Sequence, residues 1–353
     1  MFITKLLAVI ILNSNSIIWW HDDCVTAFYI GNITAINKYV LNDIRGEGFP
    51  KFPPTTRNQN LNTGNGHFDG QFLSVRSIQA DMNSCGTRSV SFNPKRNGKI
   101  IGGNVAPYGA FPWQVQLQIF NYEKSIYEHH CGAAVISERI VLTAAHCCEI
   151  SQQPYLHIVI GNHDINKFDQ YERQFRIERI VMHPEFRRMG PYSNDISVIK
   201  VASHNDAGIN FNTHVKPICL PRYDAISRPG TWCTVTGWGA QKPKDNKSLA
   251  PILRAAAVPL LDMQTCRSSG VNRGRSQNIL DTMICAGLLQ GGVDACSGDS
   301  GGPLSCEYQN KFFIVGVVSW GEGCAQANYP GVYTRVGSYI DWIDNTIKQL
   351  NAD

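Results

Sequence analysis

The pattern of apolar and polar positions changes near residue 100. Beyond it, short runs of β character follow one another: Trp113 to Ile119 alternates, Ile140 to Ala144 is apolar, and Leu156 to Ile160, Phe175 to Met182 and Ile196 to Val201 follow. Trp232 to Thr236, Met283 to Ala286, Phe312 to Val318 and Val332 to Val336 continue the series, bounded by Gly, Pro or Asn. Many short strands separated by turns predict an antiparallel sandwich or barrel. Helical spacing comes only at the end, where Ile340, Ile343, Ile347 and Leu350 share one face, after Ser338 with Asp341 as a capping box. No repeat recurs at a fixed period, which disfavours solenoids and propellers.

Before residue 100 the texture is different. Residues 45 to 98 are rich in Gly, Asn, Ser, Arg and Pro and have no sustained apolar period, which reads as a linker or pro-segment. At the amino terminus Lys5 precedes the apolar run Leu6 to Leu12, and the small residues Ser14 and Ser16 follow, as in a secretory signal. Residues 13 to 16 interrupt the run well short of the 18 or more apolar residues of a membrane span, so a cleaved signal is favoured over a retained anchor. Asn32 and Asn246 head glycosylation tripeptides, weak signals by themselves.

Composition narrows the class. The chain has 353 residues, 43% of them hydrophobic and 17% charged, and a net charge of +4, so it is globular and has no basic footprint for nucleic acid. Its 12 cysteines include no Cys-x-x-Cys pair. Zinc ribbons and thioredoxin-like motifs are therefore poorly supported, and disulfides in an oxidising compartment are the better reading.

The stretch Gly291 to Cys306, GGVDACSGDSGGPLSC, carries the most chemistry. Glycines around Ser300 let backbone approach a substrate closely and leave amide donors unobstructed. The same residues fit Gly-x-Ser-x-Gly, but in α/β-hydrolases the catalytic His follows the Ser. Here the last histidine is His214, so the base must come from upstream. His146 after a small apolar strand end and Asp195 before a buried run are the candidates. Singly, each of these residues has an ordinary structural explanation; the order His146, Asp195, Ser300 is what points to acyl transfer.

From Ile100 to about Leu350 the chain resembles a trypsin-like serine protease of the chymotrypsin family, carrying IIGG, TAAHC, NDI, GDSGGP, SWG and PGVYTRV in order. The resemblance implies two antiparallel six-stranded β-barrels with a C-terminal helix, preceded by a poorly structured pro-segment. The expected division is a signal over 1–16, a pro-segment over 17–99 and a protease domain over 100–353. His146 would act as general base and then acid, Asp195 would hold its tautomer, and the amides of Gly298 and Ser300 would form the oxyanion hole. For His129, His130, His157, His163, His183, His204 and His214, surface or packing roles suffice.

Specificity, by the same resemblance, rests on Asp294 at the floor of the primary pocket, where a carboxylate selects Arg or Lys, with Ser319, Gly321 and Gly331 on the substrate-binding walls. Ala295 stands where many relatives have Ser, which should favour the bidentate guanidinium of Arg over an ammonium. Lys99 before Ile100 resembles an activation site: a cut would free an α-amino group to pair with Asp299, so the chain reads as a secreted zymogen. Expected partners are protein substrates with Arg or Lys before the scissile bond, an activating protease and protein inhibitors; no cofactor, no nucleic acid and no membrane is expected. The resemblance also implies the disulfides Cys131–Cys147, Cys233–Cys306, Cys266–Cys285, Cys296–Cys324 and Cys85–Cys219. Cys24 and Cys148 are left over, to bond each other, to bond another chain or to stay free, in that order of expectation. Asn162 replaces the first acid of a calcium-type loop that keeps Asp169 and Glu172, and no metal is assigned. The rival class is a non-catalytic protease homologue that acts as a binding cofactor, against which the intact triad argues.

Overall fold

The computed structural model describes residues 85–96, 103–149, 151–203, 207–222, 224–242, 245, 248–271 and 274–352, and the backbone of three strands near the amino terminus. Lys99, Ile100, His204, the two candidate glycosylated asparagines and most of the expected signal and pro-segment lie outside the described residues. The chain divides into two units, Met1–Phe68 and Asp69–Asp353. In the first, β1 (Val9–Ile11), β2 (Ile17–His21) and β3 (Cys24–Ala27) form an antiparallel sheet in sequence order.

The second unit contains a closed barrel of β5 (Gln114–Asn121), β6 (Ile126–Val135), β7 (Ile140–Thr143), β8 (Leu156–Ile160), β9 (Arg173–Met182) and β10 (Ser197–Val201). Closure leaves no unpaired edge. Apolar residues pointing inward, among them Val115, Leu117, Ala133, Val141 and Ile158, are fully buried. Truncating a residue so placed, as in Leu117→Ala, costs about 2–5 kcal/mol.

The other half is a sheet of β4 (Asn104–Val105), β11 (Trp232–Gly237), β12 (Arg254–Pro259), β13 (Met283–Ala286), β14 (Pro303–Tyr308), β15 (Lys311–Trp320) and β16 (Gly331–Arg335), in the order β13-β16-β15-β14-β11-β12-β4. The all-β, two-lobed expectation holds: one lobe is a closed six-stranded barrel, and the other is a half-barrel sheet of seven strands. Its β12 and β13 ends still meet through an isolated bridge, Leu260 to Ala286, with the Leu261 amide donating to the Cys285 carbonyl at 2.9 Å. A single bridge holds where a full ladder would close the barrel.

In the second unit four strands escaped the sequence pattern, the two-residue β4 among them. β6 opens on exposed residues and runs through two histidines, β12 is built on alanines of low β-propensity, and β14 starts with a proline. A short helix, α1 (Met263–Arg267), is also additional to the one expected; Asp262 caps it by accepting from the Thr265 amide. The terminal helix α2 (Ile340–Ala352) follows a 3₁₀ turn over Val336–Tyr339, so Ser338 lies inside that turn rather than at a capping box. Ile343 and Leu350 are buried on the barrel side, and the Lys200 ammonium donates to the Leu350 carbonyl at 2.5 Å.

One apolar cluster spans the two halves, joining Trp113, Val115 and Ile158 to Trp238, Ile314 and Val317, while the seven-stranded sheet keeps a further core of its own. Trp113, fully buried, donates its indole N–H to Ser305 Oγ at 3.2 Å, and Thr236 Oγ1 donates to Gln114 Oε1 at 2.6 Å. All five expected disulfides are formed. Cys85–Cys219 fastens residues 85–96 to this unit, with Gly86 donating to Pro217 and accepting from Phe312. Gly86 has φ +70°, and a Cβ there would lie 2.5 Å from the Phe312 carbonyl oxygen, so only glycine fits that close approach. Of the two cysteines left over, Cys148 is a buried free thiol whose pKa is pushed up to about 12 by burial, and the side chain of Cys24 lies outside the described residues. No helix among the described residues is long and apolar enough to cross a membrane.

Candidate active site

The turn that carries His146 is held at both ends. It is a 3₁₀ turn, Ala145–Cys148, directly after β7; Ala144 and Ala145 are fully buried, and Cys147 is bonded to Cys131 of β6. Small residues let the turn press against the barrel while the imidazole reaches the surface.

Asp195 has no exposed surface, and its oxygens are met by donors. Oδ1 accepts from the His146 amide at 2.9 Å, and Oδ2 accepts from His146 Nδ1 at 2.8 Å and from Ser319 Oγ at 2.5 Å. Its carbonyl accepts from Thr334 Oγ1 at 2.6 Å. Asn194 before it sits at φ +50° and is pinned by Tyr339, whose hydroxyl donates to Asn194 Oδ1 at 2.8 Å. A carboxylate facing Nδ1 assigns the proton to that nitrogen and leaves the Nε2 lone pair as the base.

The Ser300 loop is strapped across both halves. The Gly132 amide of β6 donates to the Ser300 carbonyl at 2.7 Å, and the Gly301 amide donates to Val318 of β15 at 2.8 Å. Gly301, at φ +77°, abuts Thr143 Oγ1 and the Gly132 carbonyl so closely that no Cβ fits. His129 Nε2 lies 2.7 Å from the carbonyl oxygen of Gly298, which itself has φ +98°. His129 therefore does more than pack: burial pulls it down to about 4, so it is neutral and donates to that carbonyl. This contact anchors the Gly298–Asp299 peptide, which lies between the amides of Gly298 and Ser300.

Among the described residues, the amides of Gly298 and Ser300 donate to no protein acceptor, and no hydrogen bond joins Ser300 to His146. In ligand-free enzymes that bond is commonly long and tightens in the complex.

Asp299, next to the nucleophile, accepts from the Gly239 amide at 2.8 Å and from the Cys296 amide at 2.9 Å, and burial pushes its carboxyl up to about 6. A cavity of about 20 Å³, roughly the room for one small polar group, lies between Asp299, Asp294, Gly237 and Gly239. Asp294 is buried, accepts from the Ala295 amide at 2.8 Å, and is pushed up to about 7 by its burial. A Cβ on Gly331 would stand 2.6 Å from Asp294 Oδ1, whereas one on Gly321 would find only the Gly323 oxygen at 3.7 Å. Gly331 thus borders the carboxylate and Gly321 borders open space.

Sequence reasoning missed several supporting residues. The Ser319 hydroxyl, expected on a substrate wall, is directed to Asp195. Tyr192 places its ring edge-on to His146 at 6.0 Å and stacks on Trp320 at 5.8 Å, forming a wall beside the base. No motif flagged Tyr192, Tyr339 or His129, and PGVYTRV contained Thr334 without giving it a role, because each acts on a residue distant in sequence.

Cys131, His146 and Cys147 lie close enough to hold a metal, but the two sulfurs form a disulfide and offer no thiolates. Asp169 and Glu172 of the calcium-type loop are buried; Asp169 Oδ2 accepts from the amides of His163 and Asp164 at 2.7 and 2.9 Å, and Glu172 Oε2 accepts from the Asp169 amide at 3.3 Å.

A buried carboxylate behind an imidazole, beside a glycine-flanked serine on a two-lobed β scaffold, defines the arrangement of a serine protease. A family profile described as Trypsin matches residues 100–343, and the chain belongs to that family of serine proteases. The chain is similar to serine proteinase stubble of Drosophila melanogaster, with 34% identity over 272 residues, 76% of this chain and 33% of that protein. It thus spans about a third of the length of this curated relative.

Proposed function

We propose that the protein is a secreted endopeptidase that cuts peptide bonds after Arg, and less readily after Lys, in limited proteolysis. The observation that carries this reading is the 2.8 Å bond between His146 Nδ1 and the buried Asp195, on the turn that faces the Ser300 loop. His146 takes the Ser300 proton as the oxygen attacks the scissile carbonyl, and returns it to the leaving amine. Asp195 stabilises the imidazolium without being protonated. The amides of Gly298 and Ser300 receive the oxyanion, each donor being worth about 2.7–4 kcal/mol of barrier. Asp294 would meet the substrate cation, and a guanidinium suits a carboxylate bidentately.

Activation follows cleavage after Lys99, with the freed amine of Ile100 pairing with Asp299. The Asp299 carboxyl, half-buried and met by two backbone amides but by no cation among the described residues, and the small cavity beside it support that step. Protein inhibitors and an activating protease are the remaining expected partners. Profiling the activated protein on a peptide library tests the reading: cleavage confined to Arg and Lys bonds is expected, whereas no hydrolysis after verified cleavage at Lys99 would favour a non-catalytic homologue.

A further inference from the structure

Residues 275–277, in the connection between α1 and β13, send three consecutive groups to both walls of the cleft. Arg275 donates from Nη2 to the Pro330 carbonyl and from Nε to the Val271 carbonyl, each at 3.0 Å. The Ser276 amide donates to Glu322 Oε1 at 2.7 Å. Gln277 reaches the other half: its Oε1 accepts from the amide of Tyr192 at 2.9 Å, and its Nε2 lies 3.7 Å from Met283 Sδ. Pro330 and Glu322 belong to the connection between β15 and β16, whereas Tyr192 belongs to the connection between β9 and β10 of the closed barrel. One short stretch therefore ties the two halves together where Tyr192 stands beside the base.

The contact with the β9–β10 connection is close. Gly190 has φ +133°, and a Cβ there would stand 2.6 Å from Gln277 Oε1. The Gly190 carbonyl accepts from the Ser193 amide at 3.0 Å, two residues before Asp195. Asp195 does not depend on this tie, because Ser319, Thr334 and the His146 amide hold it independently. What Gln277 fixes is Tyr192.

Trp320 is held from the same stretch. Its indole N–H finds no acceptor among the described residues, so packing alone orients the ring. Arg275 places its guanidinium 5.5 Å from the Trp320 ring centroid, and Tyr192 stacks on that ring at 5.8 Å with an interplanar angle of 9°. Tyr192 also stands edge-on to His146 at 6.0 Å. Trp320 lies between Ser319 and Gly321 in sequence, so these rings border the place of the substrate residue just before the arginine, whose Cα is about 3.8 Å along the chain.

We propose that Gln277 is a positioning residue for substrate recognition: by accepting from the Tyr192 amide it holds the Tyr192 ring against Trp320 and keeps the space beside His146 narrow, so that a small residue is favoured immediately before the arginine. Arg275 and the Ser276 amide anchor the other end of the clasp. The proposal rests on the reading that the chain cuts after Arg.

The test compares Gln277→Met, which keeps the length of the side chain and removes the acceptor, with Gln277→Glu, which keeps an acceptor oxygen. Activated parent and variants are assayed on two peptide anilides that differ only in Gly or Phe before the Arg. The ratio of the two kcat/KM values is read, because a loss of folded enzyme lowers both equally and leaves the ratio alone. The parent is expected to favour Gly. Gln277→Met should lower that ratio about fivefold, the scale of one hydrogen bond, and Gln277→Glu should keep it within about twofold of the parent. Exchange of the Tyr192 amide in the full uncut chain gives a second measurement: it should quicken in Gln277→Met and stay slow in Gln277→Glu. A parent that cuts the Phe peptide as readily, a Met variant with the parent's ratio, a Glu variant shifted as far as the Met one, or equal exchange in parent and Gln277→Met overturns the proposal. If neither peptide is cut after verified cleavage at Lys99, the reading of arginine-directed cleavage fails by itself, and the exchange rates still decide whether Gln277 holds Tyr192.

Discussion

The amide of Gly132 and the carbonyl of Ser300 form a 2.7 Å hydrogen bond that joins the closed barrel to the loop of the candidate nucleophile. Gly132 lies on β6, next to the Cys131 that is bonded to Cys147, so one short segment anchors both the serine loop and the histidine turn. A Cβ at this position would lie 2.8 Å from Gly302 Cα and 3.0 Å from the Gly302 nitrogen, both of them backbone atoms.

Gly132→Ala should therefore displace the serine loop. A misplacement of about 1 Å costs on the order of a hundredfold in rate. The expected outcome is a kcat on an arginyl amide lowered by about that factor while thermal unfolding stays cooperative; an unchanged kcat would show that the strap does not position Ser300.

Ser300→Ala should abolish hydrolysis, with a loss of about a millionfold in kcat, and leave the melting temperature close to that of the parent. Mass-spectrometric mapping of a serine-directed phosphonate should find the label on Ser300. Labelling elsewhere would overturn its assignment as nucleophile.

Asp294 gives a pH dependence with a definite sign. Its folded value, about 7, is raised above the ordinary 3.8, so the proton is bound more tightly in the folded state. The stability it contributes is full below about pH 4 and is lost as pH rises through about 7. Asp294→Asn, which mimics the protonated group, should thus melt near the parent at pH 4 and above it at pH 8. An aryl amidine needs the ionised carboxylate, so its affinity for the parent should climb with pH and level off above about 7. A flat affinity profile would show that another group meets the cation.

Cleavage after Lys99 should be the switch. Lys99→Gln should stay inactive under trypsin treatment that activates the parent, because no amine is freed at Ile100 to pair with Asp299. The cut parent should run as one band unreduced and as two after reduction, since Cys85–Cys219 joins the segment before the cut to the unit after it. Full activity of the uncut variant would refute the switch; two unreduced bands would refute the tether.

By itself the sequence determined what is local or carried in motifs: the strands whose apolar positions alternate or run together, the terminal helix, the order His146, Asp195, Ser300, and, through family resemblance, five cysteine pairs. Tertiary structure alone decided how the sheets close and who supports the triad. Side-chain period reports the environment of one strand's faces and nothing about its partner, so β6, β12 and β14 became visible only once their neighbours supplied the ladders. The direction of the Ser319 hydroxyl toward Asp195, the contact of His129 with the Gly298 carbonyl and the free thiol of Cys148 are equally non-local. Each depends on segments far apart in the chain arriving within hydrogen-bond or disulfide reach, which is fixed by packing of the whole fold and not by the residues on either side.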